Sequence, residues 1–477
     1  MGEPAPLRAH RVRAAAPPAA LPADPAFPQL AIAGDPRLML KVFRTHLKPV
    51  GRRACYIEDC IPFRFRCRQS GSRCVLQYTL RIVDPSTGRR WDQWATGLLY
   101  AREGEAVRRW RELQATEPYA EIPERWLTFE PVAFIPDLEM VVEVFPYDPR
   151  LPNLSPVMGG ALRGIEPLLL ARLESTGGGP WHVTERTIEP TRYRTELGAA
   201  LRYTIWARAA RAARTETLRC YVKVYRNERG RETFDLLRSL SERPAHGAGA
   251  YAIVGAIAYM SELRTLVLEE APGAPLQQVL LHLADPAGAV RAVARAAAAF
   301  NQDHLGIPRR ESVADQLDDL RLASTLVQWA CPEASADVTA MTAALAQGLG
   351  DVPPAPIHGD LKPDHIFLSG DRVMFIDLDS AVLGDPVRDP AHLFAYIAAR
   401  VGLDSLSPEQ ARAAATAFAE EYFRHVPKPW RQRFPLHCAG ALIEVASGIF
   451  RRQEPQWPEK VTAVIEMARR ASSGQIT

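Results

Sequence analysis

Two aspartates, Asp360 and Asp377, bracket a stretch whose residue types suit phosphoryl transfer. It runs from His358-Gly359-Asp360 through Lys362 and His365, crosses two short apolar runs, and ends at Ile376-Asp377. The runs, 366–368 and 373–376, are separated by Ser369-Gly370-Asp371-Arg372, a turn composition, and predict a tight hairpin. Closing that hairpin brings the residues before its first strand, Asp360 to His365, near Asp377 after its second. Moving a γ-phosphoryl group demands hard oxygen ligands for magnesium beside the phosphates. It also demands a separate carboxylate that orients the acceptor hydroxyl and takes its proton. Two acids close in space but differently employed meet both demands.

The stretch resembles the catalytic core of the aminoglycoside phosphotransferase and choline kinase-like group, which shares the protein-kinase fold. His358-Gly359-Asp360 matches that group's His-Gly-Asp motif, and Ile376-Asp377 its metal-binding aspartate after the hairpin. Gly384-Asp385-Pro386, with Asp389 and Ala391, matches the signature that opens the next helix. The resemblance implies that Asp360 is the catalytic base, Asp377 the principal magnesium ligand, and Asp389 a brace for the catalytic loop. It further implies that Lys362 meets the γ-phosphate. His365 stands where the group commonly carries a metal-binding Asn, and is assigned a place beside the metal. Asp371 and Asp379 read as turn and capping residues.

These residues need a scaffold upstream. Residues 201–207 and 218–225 alternate, with β-branched and aromatic side chains, and predict strands; a helix is expected over about 230–240. By resemblance, Lys223 on the second strand reaches the nucleotide phosphates and Glu232 on the helix holds it. Glu269, Glu270 and Ala271 resemble the hinge against which the adenine lies, and Gly198 the phosphate-covering turn. Apolar-periodic helices follow over 276–283, 288–304, 313–330 and 334–349. Within them Asp315, Asp318 and Asp319 either face a cationic acceptor or form a solvated helix face. The expected architecture is α+β and bilobal, protein-kinase-like: a β-rich nucleotide-binding small lobe over 180–272 and a helical large lobe over 273–477.

An internal repeat precedes them. Pro62-Phe63-Arg64-Phe65-Arg66 resembles Pro190-Thr191-Arg192-Tyr193-Arg194, residues 97–100 line up with 222–225, and 140–143 with 266–269. Residues 37–154 thus read as a degenerate duplicate small lobe in which Leu98 takes the place of Lys223. That lobe is a candidate surface for a homodimer or another partner. Residues 1–30, rich in Ala and Pro, read as a disordered leader.

Composition narrows the function. The chain of 477 residues has a formal net charge of only +3 and dispersed arginines, which argues against a nucleic-acid partner. No apolar run is long enough to span a membrane, and a cytoplasmic location is expected. Cys55, Cys60, Cys67 and Cys74 lack zinc-site spacing and read as buried thiols. The expected activity is transfer of the γ-phosphate of ATP or GTP, with Mg²⁺, to a hydroxylated small molecule such as a sugar, amino sugar or amino alcohol. The competing expectation is a pseudokinase-type nucleotide-binding scaffold or regulatory protein.

Overall fold

The computed structural model describes residues 20–51, 54–67, 72–113, 122–174, 179–211, 214–242, 249–283 and 285–475. Two five-stranded antiparallel sheets stand against a helical body. In the first sheet the spatial order is Tyr56–Cys67, Arg73–Val83, Arg90–Tyr100, Met140–Val144, Val132–Ile135. In the second it is Trp181–Arg194, Gly198–Ala209, Thr215–Tyr225, Thr265–Glu269, Ala256–Met260, the same order by position in the chain. Each third strand is followed by a helix, Glu105–Leu113 and Arg229–Ser241. Each final hairpin turns through a short 3₁₀ segment and a left-handed residue, Glu139 or Arg264. The register agrees as well: Leu98 pairs with Val75 and Val141 as Lys223 pairs with Ala200 and Leu266.

Strand alternation decides what each sheet presents. Along Thr215–Tyr225, Cys220, Val222 and Val224 point into an apolar core, so Lys223 must point to the opposite face. In the first sheet Leu98 is buried among Val75, Leu113, Val132 and Val141. An apolar side chain closes the space where a lysine head would need partners.

The large lobe is built from the helices Leu276–His282, Ala287–Gln302, Val313–Ala330, Ser335–Gly348, Arg388–Ala398, Pro408–Arg424, Trp430–Arg451 and Trp457–Ser472. Ser407 and Gln410 form a capping box that starts Pro408–Arg424, as the Ser-Pro pair suggests. The first sheet packs directly on this lobe: Phe65 stacks on Trp329 at 5.5 Å and meets the Phe450 edge at 5.4 Å. Such ring contacts add about 1 kcal/mol each to the apolar burial.

Residues 1–19 of the expected leader lie outside the described residues. The remainder departs from expectation, because Leu21, Phe27 and Leu30 are buried in the core shared by the first sheet and the large lobe. A Pro-rich stretch shows no apolar period, yet single apolar side chains suffice to dock it. Cys60 and Cys74 are buried, and Cys67 faces Cys74 across paired strands. No helix among the described residues is long and apolar enough to cross a membrane.

Candidate active site

The hairpin forms from strands Ile366–Ser369 and Arg372–Phe375. At its open end, the Ile376 amide donates to the His365 carbonyl at 3.0 Å, and His358 Nε2 lies 2.8 Å from the Ile376 carbonyl. These bonds stitch the 358–365 loop to Asp377. As a result Asp360, His365 and Asp377 each offer a ligand atom within 4.8 Å of the others, the one such cluster among the described residues.

His365 donates from Nδ1 to the Asp360 carbonyl at 3.0 Å, which leaves the Nε2 lone pair 3.1 Å from Asp377 Oδ2. Burial, with Lys362 nearby, pushes the His365 pKa down to about 4, so the ring is neutral at neutral pH. A lone pair and a carboxylate oxygen facing each other repel unless a cation lies between them. The donor set of two carboxylates and one imidazole therefore fits a divalent cation, with the oxygens as the better ligands for magnesium. Lys362, itself buried, donates to Asp360 Oδ2 at 2.9 Å. Burial would raise the Asp360 carboxyl, but Lys362 outweighs it and holds the group well below the usual carboxylate range.

Asp389 opens the helix Arg388–Ala398 and is 1 % exposed. Its carboxylate accepts from the amides of His358 at 2.7 Å and Gly359 at 3.0 Å, and from Asn301 Nδ2 at 3.1 Å. It fixes the loop from behind. Gly359 has φ +75°, and a Cβ there would sit 2.3 Å from the Ser380 carbonyl oxygen. Gly359→Ala should therefore cost about 2–3 kcal/mol by chemical denaturation, and displace Asp360 as well.

Asp385, from the same signature, accepts from Arg433 at 2.9 Å and lies 2.9 Å from His437 Nε2. Burial raises its carboxyl, but these partners outweigh it and keep the group well below its ordinary range. A depressed folded-state pKa gives stability that is present above the unfolded value, about 3.9, and lost as the pH falls below it. The midpoint of thermal unfolding should drop steeply below about pH 4 in the wild type and less steeply in Asp385→Asn.

Lys223 reaches across from the small lobe and forms ion pairs with Asp377 and, at 3.0 Å, with Asp379 Oδ2. Burial would lower its pKa, but the two carboxylates raise it, so it is a cation throughout the neutral range. The Tyr225 hydroxyl also donates to Asp379, at 2.9 Å, and Arg229 and Arg309 donate to the Asp379 carbonyl. Asp379 is thus no simple capping residue. Glu232, expected to hold Lys223, is exposed on Arg229–Ser241 and is not among the acids paired with Lys223. Its charge instead helps to support that of Arg309.

The turn expected to cover the phosphates also differs from expectation. Its left-handed residue is Glu196, φ +63°, while Gly198 already belongs to the next strand. The turn is nailed to the first sheet and the segment after it. The Glu196 amide donates to Asp148 at 2.7 Å, and its buried carboxylate pairs with Arg66 at 2.8 Å, Arg73 at 2.7 Å and Arg150 at 3.3 Å. Tyr193, three residues before Glu196, packs against Trp94 and Phe145. The neighbouring sheet thus clamps this turn. Glu196→Ala removes the carboxylate partner of the buried Arg73 and of the more exposed Arg66 and Arg150, and should destabilise the protein by about 3 kcal/mol in equilibrium unfolding. In the segment expected to form the hinge, Glu269 pairs with Arg172 at 2.7 Å and Glu270 with Arg219 at 3.7 Å, both pairs exposed, and Ala271 follows them toward the large lobe. Asp315 is spent on the capping box with Ser312, Asp318 pairs with Arg321, and Asp319 lies 3.9 Å from Arg388.

Residues 210–427, which hold Lys223, the 358–365 loop, Asp377 and Asp389, match the family model of the phosphotransferase enzyme family. That part of the chain is similar to the phosphotransferase enzyme family and lies within a sheet-and-helix bilobal fold. Among solved structures, the ADP-bound aminoglycoside phosphotransferase APH(2'')-Ib is 12% identical with TM-score 0.39, over 64% of this chain and 98% of its own. APH(3'')-Id from Streptomyces rimosus is 18% identical with TM-score 0.36, over 58% and 98%. A choline/ethanolamine kinase family protein from Mesorhizobium loti is 14% identical with TM-score 0.37, over 57% and 89%. A search of curated proteins finds no match.

Proposed function

We propose that the chain is a nucleotide- and magnesium-dependent phosphotransferase that moves the γ-phosphoryl of ATP or GTP to a hydroxyl of a small molecule. The observation that carries this reading is the convergence of Asp360, His365, Asp377 and Lys223 from two lobes on one place. Asp360 is the base: it orients the acceptor hydroxyl and takes its proton as the new oxygen–phosphorus bond forms. The bond from γ-phosphorus to the bridging oxygen breaks, and its electron pair leaves with the nucleoside diphosphate. Because the transition state is loose, a carboxylate held at low pKa suffices, its work being mostly positioning. Asp377, with His365 beside it, would hold magnesium, which when bound neutralises charge on the phosphate oxygens. Lys223 meets the nucleotide phosphates and Lys362 the γ-phosphate, while the turn at 194–198 covers them. Glu269 to Ala271 form the hinge at the adenine.

Residues 37–154 are, on this reading, a degenerate small lobe whose use is to hold that turn. The shared strand order and register support the duplication. The fold in which Lys223 rests on Asp379 instead of Glu232 is what favours the second reading, a nucleotide-binding scaffold. The experiment is transfer of labelled γ-phosphate from ATP or GTP to panels of hydroxylated acceptors. Labelled product that disappears in Asp360→Asn supports the enzyme. Metal-dependent nucleotide binding with no transfer to any acceptor favours the scaffold.

A further inference from the structure

Beside the cluster lies a cavity of about 650 Å³, walled by the first sheet, the turn at 194–198 and the helices Val313–Ala330 and Trp430–Arg451. Its lining is strongly cationic: Arg64 from the first sheet, Arg194 from the start of the turn and Arg451 from the end of the last of these helices. None of these forms an ion pair with a carboxylate among the described residues, in contrast to Arg66, which Glu196 holds. The one acid on the lining, Asp24, accepts from the amide of Ala26 in its own loop. Two polar groups on the wall are buried and without partners: Arg64 Nε, and both side-chain atoms of Gln77, a residue only 1 % exposed. Native interiors rarely leave such atoms unmet, because a buried polar atom without a partner keeps its full desolvation cost.

The electrostatics agree with the geometry. Burial and the neighbouring Arg194, Arg192, Arg452 and Arg451 push the Arg64 pKa down to about 9, an uncommon strain on a guanidinium. Arg194 is lowered by burial and Arg192, while Asp360 and Asp377 support its charge, so Arg194 on the cavity wall lies within the electrostatic reach of the cluster. Like charges gathered on one wall with a buried amide need an oxyanion to be stable together.

We infer that this cavity is the acceptor site and that it takes a hydroxylated small molecule bearing an oxyanion, a phosphate or a carboxylate, gripped by Arg64, Arg194 and Arg451 with Gln77. The inference rests on the phosphotransferase reading for the word acceptor, but the anion site stands on its own. It departs from amino sugars and amino alcohols, whose ammonium groups this wall repels.

The test is calorimetric titration of the full chain, without nucleotide, using matched panels of sugar phosphates, sugar acids, neutral sugars and amino sugars. Binding should appear in the phosphate or carboxylate panel, and the two panels separate those oxyanions. Arg64→Gln and Arg451→Gln should each weaken it about tenfold or more, and Arg64→Lys less, with circular dichroism unchanged. Binding of neutral or amino sugars alone, no binding in either anionic panel, or affinities indifferent to both arginines would each overturn the inference. Because no nucleotide is present, these results are independent of γ-phosphate transfer. A protein that binds anions yet transfers no phosphate would sink the enzyme reading and leave the anion site standing.

Discussion

Asp360→Asn should lower turnover by about 10²–10⁴-fold while leaving nucleotide affinity nearly unchanged. Asparagine keeps the shape of the side chain but cannot take the acceptor's proton. The Lys362 ammonium, 7 % exposed, loses its carboxylate partner, so a stability loss of about 1–3 kcal/mol accompanies the effect. The two consequences separate experimentally. Steady-state kinetics report the loss in turnover, and a nucleotide-induced rise in the unfolding midpoint shows that the binding site survives. A variant that turned over within a few-fold of wild type would remove Asp360 from the chemistry.

Asp377→Asn should have the second large effect, and of a different kind. Asp377 lies in the left-handed region at φ +63°, where asparagine is among the few side chains that sit comfortably. The substitution therefore spares the backbone and removes charge from the proposed metal site. Metal-dependent nucleotide binding should fall by at least about tenfold and turnover by about 10³-fold. Lys223 keeps Asp379 as a partner, so the small lobe stays docked on the cluster. Only loss of both carboxylates would leave Lys223 a buried unpaired cation, so Asp377→Asn alone should cost little stability and the double variant Asp377→Asn/Asp379→Ala much more.

The parts of this site that sequence exposes are the local ones. Asp360, His365 and Asp377 sit within one hairpin's reach, so turn composition and two apolar runs suffice to bring them together. Lys223 is legible because strand alternation fixes its face. Helix boundaries followed apolar periodicity closely, as at Val313–Ala330. What was hidden depends on packing between distant segments. Whether Glu232 or Asp379 holds Lys223 is decided by how the helix Arg229–Ser241 lies on the sheet, and no spacing encodes that. The clamp on Glu196 draws on Arg66, Arg73, Asp148 and Arg150, all outside the small lobe that carries the turn. The arginine wall assembles from three remote segments, and dispersed arginines in a chain of near-neutral charge give no warning of it. The burial of Leu21, Phe27 and Leu30 was likewise invisible, since isolated anchors in a Pro-rich stretch have no period.

The most direct measurement of the central claim is thermal unfolding of wild type and Asp377→Asn with and without magnesium and ATP or GTP. A ligand that binds only the folded state raises stability by RT ln(1 + [L]/Kd), about 2.7 kcal/mol at a hundredfold excess over Kd. The account predicts a clear rise in the midpoint for wild type that requires both nucleotide and magnesium, and a rise largely lost in Asp377→Asn. No shift in wild type at millimolar nucleotide, or an equal shift in both proteins, would contradict it.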